Sequence, residues 1–112
     1  MESISLPTFS GWTSVQFKDI IRLEGAGNYT IFVLIDGQRL IYSKTISYFE
    51  QLVPHTFVRI SKSCIANLSY LSDCWESHEK EFSMSDGHRI LIARRRRYHV
   101  IERVSEWLLF VR

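Results

Sequence analysis

The sequence predicts a mainly β domain of short antiparallel sheets and hairpins, with one short internal helix and a C-terminal helix. Three observations carry this expectation. Runs rich in β-branched and aromatic residues recur between Ile20 and Ala93. Turn segments containing glycine punctuate them at Gly25–Asn28, Asp36–Gly37 and Asp86–Gly87. Beyond Arg94 the apolar spacing shifts to that of a helix.

Residues 1–14 form an N-terminal extension in this reading, and residues 15–112 form the domain. Ile20–Glu24 and Tyr29–Ile35 read as strands joined through Gly25-Ala26-Gly27-Asn28. Asp36-Gly37 then leads into Gln38–Tyr42 with the dipeptide that a type I′ turn favours, which predicts a three-stranded meander. Between Lys44 and Val53, Ile46, Phe49, Leu52 and Val53 recur at helical spacing, and Ser47–Glu50 has the form of a capping box. Pro54 ends that helix. Phe57–Ile60 resumes as a strand and runs into Ser61–Asn67, whose type the pattern leaves open. Leu71–Trp75 and Lys80–Met84 read as strands around a polar connection at Glu76–Glu79, and Asp86-Gly87 repeats the hairpin chemistry before Arg89–Ala93. Shared turn chemistry accounts for the likeness of the Asp36 and Asp86 stretches without an internal repeat. From Arg94 onward, Val100, Ile101, Val104, Trp107, Leu108 and Val111 fall on one side of a helix.

The composition narrows the function classes. A chain of 112 residues, 46% hydrophobic and 13% aromatic, suits one packed domain. Its longest apolar runs, Tyr29–Ile35 and Trp107–Val111, fall far short of the roughly 20 residues a span needs, and residues 1–10 lack a signal-peptide pattern, so a cytoplasmic protein with no membrane partner is expected. Cys64 and Cys74 lack C-x-x-C spacing and are expected to be reduced packing residues. His55, His78, His88 and His99 show no metal-ligand spacing, no G-x-S-x-G elbow occurs, and Gly25-Ala26-Gly27 lacks the third glycine and following helix of a dinucleotide site. No enzyme activity, metal or cofactor is expected.

The charge is unevenly spread. The net charge is +2, yet Arg94–Arg103 holds five arginines against one glutamate, leaving the rest of the chain slightly acidic. Arg94-Arg95-Arg96-Arg97 falls at the start of the last helix, where unpaired N–H groups already favour an anion, and each cation there costs about 0.3–1 kcal/mol. A phosphate offsets that cost, because helix N-termini and arginines both bind it. A helical wheel turns Arg94 and Arg95 outward and sets Arg97 beside the apolar stripe.

Leu23-Glu24-Gly25-Ala26-Gly27-Asn28-Tyr29, Phe57-Val58-Arg59-Ile60-Ser61-Lys62-Ser63-Cys64-Ile65-Ala66-Asn67, and Asp86-Gly87 through Ala93-Arg94-Arg95 together resemble the LytTR family of bacterial DNA-binding domains, in order, over Val15–Val104. The resemblance implies a bacterial transcriptional regulator whose loops enter successive major grooves of double-stranded DNA, commonly as two copies on direct-repeat half-sites, with a homodimer on DNA among the arrangements. Matched position by position, it implies contacts from Gly27 and Asn28, from Ser61 and Lys62, and from Arg94 and Arg95. Similar domains are commonly attached to a receiver or a membrane sensor, for which 112 residues leave no room. Ser61-Lys62 stands where relatives usually have His-Arg or His-Asn, Cys64 replaces an aromatic residue, and Ala93 replaces a serine. Lys62 is a point charge suited to phosphate or a single base acceptor.

Arg59 and Asn67 read as structural, with the Asn67 side chain on local backbone, and Tyr29 reads as core. Two other functions stay open. One is a single-stranded nucleic-acid module that stacks bases on Tyr29, Phe32 or Trp75. The other is an interaction module that docks Trp107-Leu108-Leu109-Phe110 on a partner.

Overall fold

A computed structural model of the chain describes residues 2–8, 10–72 and 80–111. β1 (Ser3–Thr8) and β2 (Gly11–Gln16) form an N-terminal hairpin to which the sequence reading assigns no element. β3 (Ile20–Ala26), β4 (Tyr29–Leu34), β5 (Arg39–Tyr42), β6 (Phe57–Ser61) and β7 (Cys64–Asn67) make an antiparallel sheet in the order β5-β4-β3-β7-β6. The meander is therefore present. α1 (Ile46–Glu50) links β5 to β6. β8 (Glu81–Ser83) pairs with β9 (Arg89–Leu91), and α2 (Arg97–Val111) follows.

Both faces of the five-stranded sheet are covered. On one face Leu23, Phe32, Phe57 and Ile65 pack with Ile4, Leu6 and Val15 of the first hairpin and with Phe49 of α1. On the other, Ile21, Val58, Ile60 and Ala66 pack with Phe82, Met84 and Ile92 and with Val100 and Val104 of α2. Burial on both sides explains why Ser61–Asn67 defied the pattern: all four residues of β7 are buried, so no alternation marks it as a strand. Among the described residues, no helix is long and apolar enough to cross a membrane.

Several local expectations need correction. A type I′ turn at Asp36-Gly37 would need positive φ at both residues, yet Gly37 has φ 89° and no described residue other than glycine has positive φ. Leu34 N–H instead donates to Gln38 O at 2.9 Å and Gly37 N–H to Leu34 O at 3.0 Å, a three-residue loop with glycine at the left-handed position. The Asp86-Gly87 hairpin repeats it, with Met84 N–H donating to His88 O and Gly87 N–H to Met84 O. In α1 the cap is Thr45, whose side chain accepts from Tyr48 N–H, so Ser47–Glu50 is not the helix start.

The last helix is α-helical from Arg97, preceded by a 3₁₀ turn at Arg94–Arg96, and its stripe outruns the body: Val100 and Val104 are buried, Trp107 and Leu108 are partly covered, and Val111 is exposed. Tyr29, expected in the core, is 53% exposed because it lies at the strand end on the face away from Thr30 and Phe32. Leu71 makes only an isolated bridge to Met84, and the remainder of the Leu71–Trp75 strand expected there, with Cys74, Trp75, His78 and Glu76–Glu79, lies mostly outside the described residues.

Candidate nucleic-acid interface

The topology carries the three suspected segments to one end of the five-stranded sheet. β3 and β4 pair as far as Ala26 opposite Tyr29, leaving Gly27 and Asn28 as a two-residue tip. Gly27 alone has positive φ there, at 62°, which is the II′ pattern rather than I′ and fits the twist of the strands it joins. β7 lies beside β3 with Cys64 opposite Glu24, so the Lys62–Ser63 turn sits next to that tip. Gly25 N–H donates to Ser63 O at 2.8 Å. On the other side, Ala93 N–H donates to Ile60 O at 3.0 Å, so Arg94 starts beside Ser61.

Gly27, Asn28, Lys62, Arg94 and Arg95 are exposed, and Ser61 is half-buried. Arg94, Arg95 and Arg96 enter none of the ion pairs among the described residues. Neither the 3₁₀ turn nor the first turn of α2 carries an acid, and Ala93 supplies no capping side chain. The cations thus stand at a helix start with nothing anionic in those turns, a balance that an external anion improves.

Arg59 shapes the neighbouring turn. Its Nε donates to Ser61 O at 3.2 Å and its Nη2 to Lys62 O, while Nη1 reaches Ser47 Oγ at 3.2 Å and Glu50 Oε1 at 2.7 Å. One guanidinium therefore ties the turn carrying Lys62 to α1, which agrees with a structural role. Asn67 is likewise structural: its Oδ1 accepts from Ser69 N–H at 3.0 Å, and its Nδ2 donates to Ile20 O at 2.9 Å and to Phe17 O at 3.4 Å.

Sequence reasoning missed a buried charge network under this surface. Arg22, only 4% exposed, donates through Nε to Glu24 Oε2 at 2.8 Å and through Nη1 to Asp86 Oδ2 at 2.9 Å, and Arg39 reaches Glu24 Oε1 at 2.7 Å. Burial pushes both carboxyls up, but the hydrogen bonds from Arg22, with help from Arg39 at Glu24 and from His88 N–H at Asp86, outweigh it and hold both below the ordinary carboxylate range. The signal was a lone arginine inside the apolar run Ile20–Glu24, which cannot stay buried without acids. The network clips the tip of the β8–β9 hairpin to β3.

Other groups are placed as follows. Cys64 is free and buried, and burial pushes its thiol up to about 12, so it is a packing residue rather than a nucleophile. Phe32 is fully buried and offers no stacking face. Leu109 and Phe110 are exposed at 80% and 83%. Among the described residues, no three His, Cys, Asp or Glu side chains group to hold a metal ion.

Comparison with known proteins bears on the domain as a whole. The family model for the LytTr DNA-binding domain matches residues 10–105. Among solved structures, one described as the LytTr DNA-binding domain of a methyl-accepting/DNA response regulator from Bacillus cereus is similar with a TM-score of 0.75 and 21% identity, over 93% of this chain and 97% of that one. At that identity the likeness speaks for the fold. No curated protein matches the sequence.

Proposed function

The chain belongs to the LytTR family of DNA-binding domains, and we propose that it reads double-stranded DNA sequence-specifically as a cytoplasmic bacterial transcriptional regulator. In this reading the Gly27–Asn28 tip, the Ser61–Lys62 turn and Arg94–Arg95 meet successive major grooves. Two copies on direct-repeat half-sites give the bound assembly. The observation that carries the reading is convergence: segments far apart in sequence meet at one sheet end, beside exposed arginines that no ion pair among the described residues neutralises.

The roles divide by chemistry. Arg94 and Arg95 have the planar fork that recognises guanine or clamps a phosphate bidentately. Lys62 offers a point charge to the backbone. Gly27 and Asn28 let the main chain approach closely, with the Asn28 amide suited to an adenine edge.

Selection of bound duplexes from a random pool tests the reading directly: a recovered motif repeated in tandem is the expected result, and an unenriched pool would refute specificity. Neutralising about five phosphates per domain gives a log-log salt slope near −4.5. A flat salt response would favour the interaction-module reading, which the exposed Leu109 and Phe110 support. Single strands outcompeting duplex would favour the stacking module, for which Tyr29 is an exposed described aromatic.

A further inference from the structure

β9 does more than lead into the arginines. It crosses the end of the sheet, because Ala93 just beyond it is bonded to Ile60 on β6, while His88 just before it and Ile90 within it share a recess of about 300 Å³ with Glu24, Gly25, Ser61 and Ser63. His88 is exposed and lines this recess beside Gly25 and Ser61, while Ile90 is buried in the core. Its position is held: His88 O accepts from Met84 N–H at 2.9 Å, His88 N–H donates to Asp86 Oδ1 at 3.0 Å, and Asp86 is clipped to Arg22.

We propose that His88 is a further DNA-contacting residue, its protonated imidazole donating to a backbone phosphate at the rim of this recess. The inference rests on the DNA-binding reading and adds a contact at the recess that His88 shares with Gly25, Ser61 and Ser63. The charged neighbours permit it. Glu24 is bonded through both oxygens to Arg22 and Arg39, and Asp86 to Arg22, so each carboxylate near His88 already has a cation. Lys62 on the adjoining turn adds positive charge, and the Cys64 thiol, pushed up to about 12, stays neutral throughout the range in which imidazoles titrate. A phosphate only accepts hydrogen bonds, and a protonated imidazole is a charged donor at both nitrogens, so binding tightens as pH falls.

The test uses the whole chain and a duplex recovered from a random pool, titrated by fluorescence anisotropy over a salt series at about pH 8 and about pH 6. The parent should bind about three- to tenfold more tightly at the lower pH, with a salt slope steeper by about 0.9. His88→Gln should cut both changes back to what His55 and His99 supply, and His88→Lys should show the tighter, steeper behaviour at both pH values. His55 and His99 line a different recess with Arg59 and Arg103, and their contribution persists in every His88 variant. Equal pH gain and slope in the parent and His88→Gln, with Arg95→Ala still impaired, would remove His88 from the interface and leave the DNA reading standing. Failure of the parent to bind any selected duplex would overturn both.

Discussion

Arg59→Met removes a guanidinium while keeping an unbranched apolar stem, so it isolates the brace on the recognition turn. Four hydrogen bonds go: two to the Ser61 and Lys62 carbonyls, one to Ser47 Oγ and one to Glu50. Fully buried, bonds to a charged group would contribute about 1.5–3 kcal/mol each. Here the Glu50 side chain is 43% exposed and rehydrates readily, so that pair contributes less than about 1 kcal/mol, and turn carbonyls at the surface can turn to water. A net loss of about 1–2 kcal/mol follows, or about 4–8 °C in Tm at this chain length.

DNA binding should suffer separately. A turn ordered only on contact costs about 1 kcal/mol that the braced turn does not, so affinity for a selected duplex should fall about fivefold. Arg59→Lys should not rescue it, because a point charge cannot fork between two carbonyls. Thermal melts and duplex titrations on the same preparations measure both effects. A lowered Tm with unchanged affinity of the folded protein would refute the brace, and an unchanged Tm would refute the bonding account itself.

Arg95→Ala should cost about 1–3 kcal/mol of discrimination at one base pair, whereas Lys62→Ala should weaken all duplexes alike and flatten the salt slope by about 0.9; a competition panel of point-substituted duplexes separates them. Asn67→Ala leaves Ile20 O and Ser69 N–H without their side-chain partner and should lower stability by about 2–4 kcal/mol in urea unfolding, a loss below about 1 kcal/mol showing that water replaces the amide. Glu24 and Asp86 are held below their ordinary range, so their contribution is present above the unfolded carboxylate values of about 4 and is lost as pH falls further through the lowered folded values. Thermal melts from about pH 6 to about pH 2 should show that loss, and Asp86→Asn should flatten part of it; an identical acid profile in the variant would contradict the assignment.

What the sequence disclosed divides by range. Glycine's tolerance of positive φ is local, so every hairpin marked by Gly27, Gly37 or Gly87 was found, and α2 was found through its period. Loop length is not local. It depends on which residues pair across the hairpin, and that is why Asp36-Gly37 read as a two-residue turn when Leu34 pairs with Gln38. The first hairpin escaped because, among its described residues, only Ile4, Leu6 and Val15 are buried, an alternation too sparse to stand out until a sheet covers it.

The site shows the same boundary. The arginine run was conspicuous because it violates helix electrostatics, and the resemblance supplied the other two segments. Their adjacency comes from pairing β7 with β3 and from crossing β9 over the sheet end, neither of which a linear pattern encodes. His88 was weighed only as a metal ligand, since sequence gives a histidine neighbours along the chain and not across it. Arg22 makes the opposite case. A solitary cation amid Ile20, Ile21 and Leu23 must find acids or leave the core, so a carboxylate partner was a deduction open to the sequence although Asp86 itself was not, and the contacts with Glu24 and Asp86 hold the β8–β9 tip where His88 lines the recess.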